Sequence, residues 1–139
     1  MTAAFEHPSS SAGPIISVDA TSGDGPARFA AAGQSFIVNE WRGSGPALLH
    51  VHHADDEAWH VLEGVLRFRF PDRAVEVGPG GTVFVPAGVA HTYEAVAARY
   101  LIVLTPRLAA LITELQQTKN PAMQADVYRK YQSELLESP

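Results

Sequence analysis

The stretch 48-LLHVHHADDEAWHVLEG-64 decides how this chain is read. It gathers His50, His52, His53 and His60, out of six histidines in the chain, beside Asp55, Asp56 and Glu57. In a β-strand, residues two apart face the same side. His50 and His52 therefore project together, with Val51 and His53 opposite. A short turn through 54–56 brings Glu57 onto the next strand, where Glu57, Trp59 and Val61 share one face and Ala58, His60 and Leu62 the other. Two imidazoles and a carboxylate thus converge. A fourth group must come from elsewhere, and His91, just after the turn "PAGVA" (86–90), is the available one, with Tyr93 and Ala95 on its face.

Four polar groups turned inward are costly unless each finds a partner. Neutral imidazole and carboxylate together suit Fe, Mn, Ni, Co, Cu or Zn. Three histidines and one glutamate would leave one or two positions on such an ion for water, oxygen or substrate. The expectation is one divalent transition-metal ion held by His50, His52, Glu57 and His91. The chain has no cysteine, so nitrogen and oxygen are the only ligand types on offer.

Outward from this stretch the punctuation is that of an all-β domain. "QSFIVNEW" (34–41) runs into the Gly43-Ser44-Gly45-Pro46 turn. "VLRFRF" (65–70) alternates Leu66, Phe68 and Phe70 with Arg67 and Arg69, the two-residue period of a half-buried strand. "AVEV", "TVFVP", "HTYEAVA" and "RYLIVLT" follow as further short strands separated by Gly/Pro turns, the signature of a sandwich or barrel. Residues 1–33 read as an N-terminal arm in which "PIISVDA" (14–20) is a short strand.

The period changes at Thr105-Pro106, a hydroxyl N-cap with proline in the first turn. Leu108, Leu111, Ile112 and Leu115 then make one helical face. Asn120-Pro121 opens a second helix, with Met123, Val127, Tyr131 and Leu135 as its stripe. Residues 106–139 are thus expected to be two helices packed on the barrel of residues 34–105. They cover an open end or face, or else act as a dimer arm or a lid over a pocket mouth.

Composition narrows the function. With 46% hydrophobic and 18% charged residues, the chain can bury a core as one domain. A net charge of −5 and ten scattered Lys and Arg argue against nucleic acid. No signal peptide or membrane span is expected, and the absence of cysteine fits a cytoplasmic protein.

These motifs resemble the cupin superfamily. Its first motif has the form Gly, five residues, H-x-H, three or four residues, Glu, six residues, Gly; here His50-Val51-His52, Glu57 and Gly64 fit, while Gly45 stands one residue too close. Its second motif is Gly, five residues, P-x-G, two residues, His, three residues, Asn; Gly80, Pro86, Gly88 and His91 fit, and Ala95 replaces the Asn. The resemblance covers residues 34–105. It implies a single cupin, a conical antiparallel β-barrel of jelly-roll type with a C-terminal α-helical tail, a homodimer, and His50, His52, Glu57 and His91 as metal ligands. "HVHHADDEAWHVLEG" is closest to the branch with quercetinase-like dioxygenases. That branch implies a small enol or phenolic substrate and Glu57 as both ligand and catalytic base. Cupins with the same ligands also include oxygen-independent isomerases, decarboxylases and cyclases, and non-catalytic binding modules, because a fold does not name a reaction.

The remaining candidates are weighed by the face they occupy. Trp59, Phe68, Phe84 and Tyr93 are read as an aromatic wall of a substrate pocket, with plain core packing as the alternative. His53 and His60 face away from the cluster. Asp55 and Asp56 read as a solvated turn, or as carboxylates orienting an imidazole. Arg67 and Arg69 coat an outer face. Phe36 and Trp41 fall on opposite faces of one strand, and the pattern does not choose between them.

Overall fold

In the computed structural model, which describes residues 13–17 and 29–138, the alternating segments form a single antiparallel framework. In chain order the elements are β1 (Ala30–Ala32), β2 (Ile37–Trp41), β3 (His50–His52), β4 (Glu57–Phe70), β5 (Arg73–Val77), β6 (Thr82–Val85), β7 (Thr92–Leu104), α1 (Pro106–Gln117), α2 (Pro121–Lys130) and β8 (Ser133–Leu135). The larger sheet runs β1-β2-β7-β4-β5, with β6 pairing the first half of β4; β3 and β8 form a second, two-stranded sheet. Residues 14–17 of the expected first strand take no strand conformation, and 18–20 lie outside the described residues.

The segments expected as separate strands on either side of Gly64 form one strand of 14 residues. Likewise "HTYEAVA" and "RYLIVLT" join in a strand of 13. The two long strands pair along their length, with register shifts around Glu63 and Val65. Gly64 has φ +70 and faces Ala97, φ +48. A bulge places one extra residue on a strand and so reverses which parity points inward. Before it Glu57, Trp59 and Val61 are buried; after it Leu66 and Phe68 are. On β7 the inward set changes from Tyr93 to Ala98, Tyr100, Ile102 and Leu104 in the same way. Glu57 and the core residue Phe68 thereby share one interior, although strict alternation would separate them. Beside the bulge, buried Arg99 is paired with Glu63 at 3.0 Å and Glu40 at 3.4 Å, which compensates its charge.

Trp41 points inward at 6% exposure and Phe36 outward at 56%. Arg67 and Arg69 do lie on the outer face, paired with Glu76 and Glu137.

Both helix openings form as the sequence predicts. Thr105 Oγ1 accepts from Leu108 N at 3.2 Å, and Asn120 Oδ1 from Ala122 N at 3.0 Å. Leu108 and Leu111 bury the inner face of α1, and Val127 and Tyr128 that of α2. The second helix departs from expectation. It stops at Lys130, Met123 is 56% exposed, and Tyr131 is already its C-cap. Gln132, at φ +55, turns the chain back, and Leu135 belongs to β8, antiparallel to β3. The C-terminal segment is therefore two helices and a strand. Among the described residues, no helix is long and apolar enough to cross a membrane.

Candidate metal centre

His50 and His52 sit on β3, Glu57 opens β4, and His91 immediately precedes β7. Backbone bonds bring these segments together. His50 N donates to His91 O at 3.1 Å, His91 N to His50 O at 2.9 Å, and Gly88 N to His52 O at 2.8 Å. The 86–90 turn is thus fastened along β3. Gly88 takes φ +91 there, which suits glycine, and Asp56 Oδ1 accepts from Ala87 N at 2.9 Å. This is the physical reason that His91 meets a pair of histidines far away in the chain.

The ring nitrogens of His50, His52 and His91 lie within 4.8 Å of one another, and all three residues are buried. Glu57 completes the group, with Oε1 at 3.0 Å from His91 Nε2 and 3.3 Å from His52 Nε2. Each ring is anchored through its other nitrogen: His50 Nδ1 at 2.9 Å from Leu48 O, His91 Nδ1 at 2.9 Å from Val89 O, His52 Nδ1 at 2.7 Å from Ser133 Oγ. A carbonyl only accepts, so His50 and His91 carry their protons on Nδ1.

In a neutral ring the Nε2 lone pair of His91 therefore faces a carboxylate oxygen at 3.0 Å. Two acceptors at that distance need a cation between them. At His50, burial, followed by the charges of His91 and His52, lowers the pKa to about 3, so this ring stays neutral and can offer a lone pair to an ion. A metal ion serves all four groups. Two donor atoms each about 2.1 Å from one ion and at right angles to each other stand about 3.0 Å apart. The donor set, its tautomers and its spacing fit one transition-metal ion. Burial would raise the Glu57 pKa, but hydrogen bonds and charge from His52 and His91 outweigh it and lower it to about 2, so Glu57 is a carboxylate.

The cluster lies in a chamber of about 30 Å³, room for roughly one water-sized ligand. A second, mostly apolar cavity of about 440 Å³ adjoins it. Pro46, Tyr93, Ile112, Leu115 and Tyr128 line both. Thr92 Oγ1 donates to Pro46 O, and Ala95 N to Ser44 Oγ at 2.9 Å, which ties the 44–46 loop to β7 at this wall. Gly45 is needed there, since a Cβ on it would sit 2.7–2.8 Å from Tyr93 ring carbons. The helices thus wall the site as well as covering the barrel.

Three of the expected aromatics are inside. Trp59, Phe68 and Tyr93 pack together with ring centroids 4.9–5.3 Å apart, and Tyr93 reaches both cavities. Trp59 and Phe68 line neither, so they back the wall. Phe84 is a correction: it is 62% exposed, because β6 turns Val85 inward and Phe84 out. Asp55 is another. It is buried, not solvated, and pairs with Arg107 of α1 at 3.4 Å rather than with an imidazole. His53 pairs with Glu134 on the surface and His60 with Thr82, both away from the cluster.

Two residues at the site escape a sequence reading. Tyr128, its ring 5.5 Å from that of His50, falls outside the stripe Met123, Val127, Tyr131 and Leu135 and carries no sequence signal of a site. Ser133 lay inside an expected helix. The one available hint was polar Ser133 next to the stripe, which is too common to signal a contact.

Residues 41–105 match the family described as "Cupin domain". Among solved structures the chain is similar to a cupin-2 domain protein from Shewanella frigidimarina, with 22% identity, 60% of this chain and 83% of that one covered, and a TM-score of 0.51. It is also similar to KdgF from Halomonas sp., at 18% identity, 57% and 78% coverage and a TM-score of 0.49. A third is the polyketide cyclase RemF from Streptomyces resistomycificus, at 30% identity over 52% of this chain and 56% of that one, TM-score 0.46. No curated protein matches.

Proposed function

Starting from the cupin fold of this chain, we propose that it is a mononuclear metal enzyme that cleaves a small enol or phenol with oxygen, in the manner of the quercetinase-like dioxygenases that its histidine motif resembles. His50, His52, Glu57 and His91 would hold the ion. The observation that carries the reading is the shared wall: the histidine chamber and the apolar cavity of about 440 Å³ meet at Pro46, Tyr93 and Tyr128. A flat, largely apolar molecule in that cavity would reach the metal chamber with one polar edge. A bound ion would supply Lewis acidity toward a substrate oxygen and, if redox-active, oxygen chemistry.

The chain's own groups do the rest. Among the described residues that line either cavity, Glu57 is the one carboxylate, and it is ionised, so it receives the proton of a substrate hydroxyl. Tyr100 gives its single proton to Gly43 O, so the 2.9 Å contact between the two tyrosines has Tyr93 as donor. Tyr93 is thereby fixed in place at the wall of the chamber. Ile112, Leu115 and Leu111 give the chamber an apolar lining.

One observation favours an oxygen-independent isomerase, decarboxylase or cyclase as the second reading. Tyr128 and Glu57 line the same small chamber, which brings a phenol hydroxyl and an ionised carboxylate to one space. An acid facing a base across one small chamber is what proton relocation requires. Oxygen consumption by metal-reconstituted protein against flavonols and other enols tests the first reading. Turnover that proceeds equally without oxygen replaces it with the second. Tight binding without product would leave only a ligand-binding module.

A further inference from the structure

We propose that the C-terminal strand is part of the metal centre, with Ser133 as a positioning residue that fixes the tautomer of His52. The inference rests on the metal reading of the site. His50 and His91 each bond through Nδ1 to a carbonyl two residues back, so their tautomers are set locally. His52 has no such carbonyl; its partner is 81 positions away. The Ser133 hydroxyl has one proton, which goes to Tyr131 O at 3.2 Å. With that proton on Tyr131 O, the 2.7 Å contact with His52 Nδ1 runs from N–H to Oγ and leaves His52 Nε2 bare toward the cluster.

The register makes this contact unavoidable. β3 and β8 pair His52 directly with Ser133, and directly opposed residues of an antiparallel pair share a face. Both are buried. The strand is docked independently of the hydroxyl. His53 N donates to Gln132 O and Leu136 N to Leu49 O, each at 2.9 Å. Glu137 accepts from Leu49 N and, through both oxygens, from Arg69. Removing the Ser133 oxygen leaves β8 in place but lets His52 move its proton to Nε2, where it competes with a metal. Partners of this kind are worth about 10–100-fold in metal affinity.

The test titrates metal-free full-length protein with Co(II), read by calorimetry and by the visible d–d bands. Ser133→Ala and Ser133→Val should bind Co(II) about 10–100-fold more weakly with altered bands, while Ser133→Thr keeps wild-type values. Thr and Val have nearly the same shape, so their difference isolates the hydroxyl even if Ala perturbs folding. Equal affinity and identical bands in Thr and Val variants would overturn the proposal while the metal site stands. Wild-type protein that takes up no Co(II) would overturn the metal reading itself, and this inference with it.

Discussion

Gly64→Ala should be among the most damaging conservative substitutions in the chain. Gly64 takes φ +70, which costs a residue with a Cβ about 1–2 kcal/mol. The Cβ would also lie 2.5 Å from the Ala97 carbonyl carbon and 2.7 Å from Ala98 Cα, and nearer still to the Ala97 oxygen. These are backbone atoms in the facing long strand, so no side chain can swing aside. Forcing such a pair apart adds about 1–3 kcal/mol, for a total of about 2–5 kcal/mol. Domains of this size are stable by about 5–15 kcal/mol. The chain could escape by removing the bulge, but that would reverse the parity of β4 and drive either Glu57 and Trp59 or Leu66 and Phe68 to the surface. Gly80 provides the control: it has φ +85 with nothing within 4 Å of a Cβ, so Gly80→Ala carries the conformational cost alone. Urea denaturation followed by tryptophan fluorescence measures both. If Gly64→Ala costs no more than Gly80→Ala, the bulge does not require glycine for the reason given.

Three further outcomes are expected. Added Co(II) or Zn(II) should raise the melting temperature of metal-stripped protein, by about 2.7 kcal/mol of stability at 100 times Kd, and His91→Ala should abolish the shift; an unshifted wild type would count against the site. Metal-free protein should lose stability in acid. The folded-state pKa of His50, about 3, lies below its ordinary 6.5, and that of Glu57, about 2, below 4.5. The unfolded chain therefore takes up these protons first, so stability is lost from pH 6.5 downward through His50 and from 4.5 downward through Glu57, at up to about 1.4 kcal/mol per pH unit for each group. Urea melts at pH 7 and 5 read this, and equal stability at the two would contradict it. Under the oxygen-independent reading, Tyr128→Phe should keep metal affinity within about twofold while lowering turnover about 10²-fold or more, the scale of a lost acid group; unchanged kcat would remove Tyr128 from that chemistry.

Much of this protein is legible along the chain because its determinants are local. His50 and His52 share a face by the two-residue period of a strand, and Glu57 follows one short turn later. The helix openings at Thr105 and Asn120 are read from a cap and a proline. Phe84, expected on the pocket wall, faces outward because the pairing of β6 with β4 sends Val85 in instead. The bulge at Gly64 was read as a strand break because a glycine looks the same in a turn and in a long bent strand.

The sequence by itself determined the barrel class, the common face of His50 and His52, and the two helix starts, since each follows from periods or caps spanning a few residues. Tertiary structure alone decided that β8 returns to β3, that Ser133 holds His52, and that Tyr128 walls the metal chamber. The reason is physical. A reversal such as that at Gln132, φ +55 in a non-glycine residue, is stabilised by what the following strand pairs with, and that partner lies some eighty residues away.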